Sequence, residues 1–163
     1  EDRLGAHPVA LQLPIGSESK LVGVIDLLNM QALYWTDEQG ARMETKPIPA
    51  EMEAQAKEWR SHLVERVGEV DEMVMEKYIH EKEVTLQELK TAIRKATIAN
   101  KIVPVFTGAS ARNKGVQPLL DAVIEFMPTP LDIPPKKGTN PNNQQEEECP
   151  TSDQAPTDPV SVN

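Results

Sequence analysis

The stretch from Ile102 to Met127 constrains the fold more than any other part of the chain. An apolar run, Ile102 to Phe106, stops abruptly in Thr107-Gly108-Ala109-Ser110-Ala111-Arg112-Asn113-Lys114-Gly115, and a helical pattern starts at Val116. A strand feeding a helix through a loop of small residues is an α/β connection, and such a loop brings backbone amides within reach of a ligand. Pro104 cannot donate to a ladder, which points to an edge strand or one with its amide side free. Pro118 is tolerated in the first turn of the helix, whose expected apolar face is Leu119, Leu120, Val123, Ile124 and Met127. Taken alone, the loop has two readings: a plain structural turn, or a cradle whose N–H groups meet a carbonyl or phosphate oxygen. Asn113-Lys114-Gly115 would add a donor and a cation to the second.

Upstream, two patterns succeed one another. Residues 8–48 read as strands: Pro8 to Pro14 alternates, Leu21 to Leu28 is rich in Val, Ile and Leu with Gly23 a candidate bulge, and Ile15 to Lys20 forms the turn between them. Ala32 to Thr36 and Ala41 to Lys46 flank Asp37-Glu38-Gln39-Gly40 as a second hairpin, and connections this short imply antiparallel pairing. Residues 50–100 read as helices. Met52, Ala56, Trp59, Leu63, Val67 and Val70 recur at steps of three and four, one helix face. A break is expected near residue 70, at Gly68 and Asp71, with Asp71 capping a second helix that runs to Ile79. Thr85-Leu86-Gln87-Glu88 is a capping box that opens a third helix with Leu86, Leu89, Ile93 and Ala96 inward.

Beyond Met127 the composition shifts. Eight of the 14 prolines lie between Pro128 and Pro159, and Asn140 to Glu148 is wholly polar, so residues from about 136 onward are expected to be a linker or disordered tail. The expected organisation is therefore an insert-like unit over residues 1–101, a terminal βα unit over 102–135 and a tail over 136–163. No internal repeat is present.

Composition excludes several classes. No apolar run approaches the roughly 18–20 residues of a membrane span. The single cysteine, Cys149, can form no internal disulfide and no cysteine zinc site, which fits a reducing, cytoplasmic setting. The net charge of −9 argues against strong nucleic-acid binding and permits a basic protein partner. The chain opens on Glu1 without a basic-then-apolar signal segment, so it is expected to start inside a longer protein or after processing. His7, His62 and His80 have no spacing that suggests a metal site or a triad. Trp35 and Trp59 read as packing residues and Asp121 as a surface residue. No catalytic residue and no metal ligand is assigned.

At about 100° per residue, Glu51, Glu58, Glu65, Glu69, Glu72 and Glu76 fall on one side of the helical region, roughly opposite the apolar series. Glu72 and Glu76 keep that phase only if the helix runs past Val70. The stripe reads either as a solvated face or as a surface for a basic partner, because like charges four residues apart cost a few tenths of a kcal/mol per pair.

The stretch Ile102 to Pro135 resembles translation elongation factor G. Asn113 to Gln117 matches the family's Asn-Lys-Gly-Val-Gln, Leu119 to Val123 its helix, and Leu131 to Pro135 its Pro-rich exit. Arg3-Leu4-Gly5-Ala6, Leu11 to Gly16, Gly23 to Asp26 and Met75 to Tyr78 resemble the same family, so the likeness covers roughly residues 3–140. In place of the family's Gly-Ser-Ala, this chain has Gly108-Ala109-Ser110, with a Ser-Ala pair one residue late at Ser110-Ala111. The resemblance implies an α+β insert called G′, an antiparallel sheet with packed helices, followed by the last strand, loop and helix of a P-loop GTPase domain. It implies a parent that uses GTP and Mg²⁺ to drive tRNA–mRNA translocation on the ribosome. Gly108, Ala109, Ser110 and Ala111 would supply the backbone contact to guanine. Glu65, Glu69 and Glu72 would contact the C-terminal domain of the stalk protein L7/L12. The phosphate loop, the Mg²⁺-holding Asp and the Asn-Lys-x-Asp base motif are missing, so the chain is expected to hydrolyse nothing alone. Two other readings stand beside this one: a non-enzymatic module binding through its acidic helix, and a piece of a tetracycline-resistance ribosomal-protection GTPase.

Overall fold

Where the sequence alternates from Pro8 to Pro14, the backbone changes partners. In the computed structural model, which describes residues 7–16, 20–37, 39–80, 82–132, 136–139 and 146–149, this stretch is two strands rather than one: β1 (Pro8–Ala10) and β2 (Gln12–Ile15). Leu11 lies between them. Its N–H donates to the Val105 carbonyl at 3.0 Å, and its own carbonyl accepts from the Leu27 N–H at 3.0 Å. The first bond belongs to a parallel pair of β1 with β6 (Val103–Val105), in register Val9↔Pro104. The second leads into a four-stranded antiparallel sheet, ordered β2, β3 (Gly23–Asp26), β4 (Gln31–Trp35), β5 (Met43–Lys46). The period-2 pattern cannot reveal such a switch, because a change of neighbour leaves the alternation intact.

The antiparallel sheet is apolar on both faces. Ile25, opposite Ala32, enters the main core; Val24, opposite Leu33, packs with Leu33 and Trp35 as a separate cluster.

The helices form where the periodicity places them. α1 (Ala50–Gly68) buries Ala56, Leu63, Val67 and Gly68. Gly68 at its end lets α2 (Glu72–Ile79) pack close: a Cβ there would stand 3.3 Å from the Met75 Cα. Asp71 caps α2, its carboxylate accepting from the N–H groups of Met73 at 3.1 Å and Val74 at 3.2 Å. α3 (Leu86–Ile98) opens on the expected capping box, complete in both directions between Thr85 and Glu88. Leu11, Ile25, Leu63, Val67, Val74, Leu89, Ile93 and Phe126 share one core, each large side chain contributing about 1.5–3 kcal/mol through loss of apolar surface to water. The expected α+β architecture is what the chain adopts.

α4 (Val116–Phe126) forms where expected and carries the expected apolar face, but does not bury it. Its buried residues are Ala122 and Phe126, while Leu119, Leu120, Val123, Ile124 and Met127 are all exposed, Ile124 at 80%. The helix turns its narrow side to α3, whose Arg94 donates to the carbonyls of Glu125 and Met127 at 2.9 and 2.8 Å. The broad apolar face is left largely open to solvent.

The chain divides into two compact units, 1–127 and 128–163. In the second, the Thr129 N–H and hydroxyl both donate to Asp132, at 2.7 and 2.8 Å, around a 3₁₀ turn at Pro130–Asp132. Within the stretch expected as linker or tail, β7 (Lys136–Thr139) pairs antiparallel with β8 (Glu146–Cys149). These strands lack the apolar alternation by which a strand is recognised. The Arg3 to Ala6 likeness, Glu38, part of the turn at 15–20, the end of the Pro-rich exit and the tail residues outside β7 and β8 lie outside the described residues.

Candidate functional site

The loop after β6 is a small closed structure. The Ala109 N–H donates to the Lys114 carbonyl at 2.8 Å and the Lys114 N–H returns the bond at 3.2 Å. Between them Ser110–Arg112 form one 3₁₀ turn, closed by Arg112 N–H to Ala109 O and Asn113 N–H to Ser110 O, both at 2.9 Å. Asn113, with φ of 52°, and Gly115, with φ of 84°, reverse the chain into α4. Gly108 and Gly115 pack backbone to backbone: a Cβ on Gly108 would lie 2.8 Å from the Lys114 carbonyl oxygen. Thus the amides of Ala109, Arg112, Asn113 and Lys114 hold the loop together. Those of Gly108, Ser110 and Ala111 take part in none of these bonds. Beside them opens a cleft of about 270 Å³ lined by Phe106, Thr107, Ser110, Val116 and Leu119, among others.

The Lys114 ammonium does not face that cleft as a free cation. It donates to the Leu21 carbonyl at 2.9 Å, anchoring the loop to the chain just before β3. Three more contacts fasten the region to the sheet. Gln117 Nε2 donates to the Gly40 carbonyl at 2.8 Å, Trp35 Nε1 donates to Gln117 Oε1 at 3.4 Å, and Gln12 Oε1 accepts from the Thr107 N–H at 3.3 Å. Gly40, φ +64°, lies so close that a Cβ would stand 2.6 Å from the Asn113 carbonyl oxygen. Gln12, Trp35, Gly40 and Gln117 carry no local signal of this role, since each meets its partner across a long span of sequence.

The glutamates divide between two helices. α1 stops before Asp71, so the condition that would keep Glu72 and Glu76 in phase with Glu51, Glu58, Glu65 and Glu69 is not met. The fold nevertheless brings Glu69, Glu72 and Glu76 together around one open groove with Val70, Met75 and Ile79. Glu65 lies one turn back on α1, 3.4 Å from His62 Nδ1, and Glu69 pairs with Arg66 at 3.4 Å. The side chains of Glu65 and Glu69 are about half exposed, 47% and 48%, so neither pair neutralises the surface strongly. Trp59, expected inward, is 40% exposed and meets His62 edge-to-face at 6.3 Å. Trp35 is buried as expected. Among the described residues no group of His, Cys, Asp and Glu could hold a metal ion, and no helix is long and apolar enough to cross a membrane.

No family model matches the chain. Individual proteins do. It is 55% identical over 137 residues to an elongation factor G of Petrotoga mobilis, covering 84% of this chain and 20% of that protein. It is 48% identical over 157 residues to the Aquifex pyrophilus elongation factor G, covering 96% of this chain and 22% of the other. This chain is homologous to elongation factor G. The elongation factor G of Thermotoga neapolitana agrees, at 51% identity over 136 residues, 83% of this chain and 20% of its own. The chain spans about a fifth of the length of these elongation factor G relatives. A crystal structure of a Thermus thermophilus protein superposes with a TM-score of 0.66 at 26% identity, over 82% of this chain and 21% of that one.

Proposed function

We propose that this chain is the part of a ribosomal translocase-type elongation factor G that comprises the G′ insert and the last guanine-contacting loop. The parent would drive GTP-dependent tRNA–mRNA translocation in the cytoplasm, with Mg²⁺ at a phosphate site formed by residues outside this chain. The observation that carries the reading is the loop at Gly108–Ala111. After its own hydrogen bonds are made, the N–H groups of Gly108, Ser110 and Ala111 remain for the carbonyl oxygen of a guanine base. The displaced Ser-Ala pair supplies two of these three, and a backbone contact of this kind is indifferent to the side chains on either side. The sequence holds no phosphate loop to cradle a nucleotide's phosphates, so the chain would contribute base recognition without chemistry. The purified chain is expected to release no phosphate from GTP; sustained multiple turnovers would overturn the division of labour proposed.

In the same reading, Glu65, Glu69 and Glu72 form the surface for the basic C-terminal domain of the L7/L12 stalk. Half-exposed carboxylates of one sign at the junction of α1 and α2 suit electrostatic steering, which is strongest at low salt. Replacing all three by Lys in the full-length protein is expected to weaken stalk-domain binding by about tenfold or more at low ionic strength. An unchanged Kd by titration calorimetry would remove the stripe's role.

A further inference from the structure

We propose that Gln117 and Lys114 are positioning residues through which the antiparallel sheet sets the guanine selectivity of the loop. The inference rests on the reading of Gly108–Ala111 as the guanine contact and goes beyond it, because the polar ends of both side chains are engaged by Leu21, Gly40 and Trp35.

Four bonds tie the loop and the start of α4 to the sheet and its flanks. Gln117 bridges Gly40 and Trp35, at 2.8 and 3.4 Å; Lys114 reaches Leu21 at 2.9 Å; Gln12 accepts from Thr107 at 3.3 Å. Gly40 lies against the Arg112 and Asn113 carbonyls, where a Cβ would come within 2.7 and 2.6 Å. The contacts surround the 3₁₀ turn that presents Ser110 and Ala111. Gln117 uses both ends of its amide, one donating and one accepting, which fixes its plane and therefore the distance between the β4–β5 connection and the first turn of α4. Gly115, the N-cap of α4, carries no capping side chain. The loop's own bonds fix the shape of the turn, and the contacts from the sheet fix how that closed turn is oriented. A hydrogen bond to a base oxygen weakens steeply once its angle is lost, so a small rotation of this turn would lower selectivity without abolishing nucleotide binding.

The test uses full-length elongation factor G carrying this segment. Affinity is measured for GDP and for the diphosphate of 2,6-diaminopurine riboside, in which an amino group replaces the carbonyl oxygen. Gln117→Leu and Lys114→Met each remove a clamp, and either serves if the other fails to fold. Ser110→Pro and Ala111→Pro delete loop amides directly. The clamp variants are expected to narrow the preference for GDP about five- to tenfold, the scale of one hydrogen bond, with diaminopurine affinity unmoved. Lys114→Arg, which keeps a donor for Leu21, is expected to restore it. Equal losses for both nucleotides would mark Gln117 and Lys114 as merely structural and overturn the inference. A preference narrowed by the Pro variants but unchanged by the clamp variants overturns the positioning role and leaves the loop's guanine contact standing. A preference unchanged in all of them overturns the positioning role and any guanine contact through Ser110 and Ala111.

Discussion

Gly115 holds a φ of 84°, and a Cβ there would lie 2.7 Å from the Thr107 carbonyl oxygen and 2.8 Å from the Gly108 Cα. Two penalties fall on this residue at once: a left-handed backbone that an L side chain resists, and a backbone approach that leaves no room for a methyl group. Gly115→Ala is expected to destabilise the chain by about 1–3 kcal/mol, read as a lowered urea midpoint at unchanged m-value. A change under a few tenths of a kcal/mol would mean that the loop relaxes more freely than this packing allows. Asn113, two residues earlier, shares the left-handed geometry at φ of 52°, which Asn tolerates better than most residues. The Asn-Lys-Gly run is thus a backbone requirement first. Its lysine, which in sequence looks like a ligand cation, is turned inward to Leu21.

Helix α3 shows how an element couples its start to its neighbour. The Glu88 carboxylate accepts from Lys77 of α2 at 2.6 Å and from the Thr85 N–H and hydroxyl at 2.9 and 2.8 Å. The Lys77 hydrogen bond, then the Thr85 bonds, lower the Glu88 pKa from 4.5 to about 2. Because the folded value is the lower one, the ionised form favours folding: the contribution is complete above the unfolded value and is lost as pH falls through the folded one. Lys77→Met is expected to raise the Glu88 pKa toward 4.5, with a stability cost that is present near neutrality and absent in strong acid. Carboxyl NMR titration reads the first and thermal melts across the acid range the second; a cost equal at all pH values would show that packing alone was lost. At this scale the sequence was largely legible. The capping box at Thr85, the Asp71 cap and the break after Gly68 stand where their residues place them, because each is decided within a few neighbouring positions. What local pattern could not convey was the choice of partner. Leu11 switches sheets without breaking its alternation, and Glu72 and Glu76 leave the phase of α1 yet meet Glu69 across a groove. Likewise Ser110 and Ala111 are identifiable as loop residues, whereas Trp35, Gly40 and Gln117 become part of that site only when the chain is folded.

For the molecule as a whole, the face of α4 is the unfinished surface. Leu120 is 57% and Ile124 80% exposed, with Leu119, Val123 and Met127 beside them. Contiguous apolar surface of this kind associates with whatever apolar surface it meets. The purified chain is expected to sediment with a concentration-dependent increase in size that the pair Leu120→Lys and Ile124→Lys abolishes; identical sedimentation for both would sink the idea. The parallel strand pair, by contrast, frames a long crossover. β1 and β6 run parallel, Pro8 beside Val103 and Ala10 beside Val105, so the chain between Ala10 and Val103 leaves at one end of the pair and returns at the other, one short strand away. A detour whose ends are held one short strand apart can be lengthened cheaply, since each doubling of a closed loop costs only about 0.6 kcal/mol of chain entropy. What is built inside the detour can therefore change in size and surface while the two strands that anchor its ends stay in register.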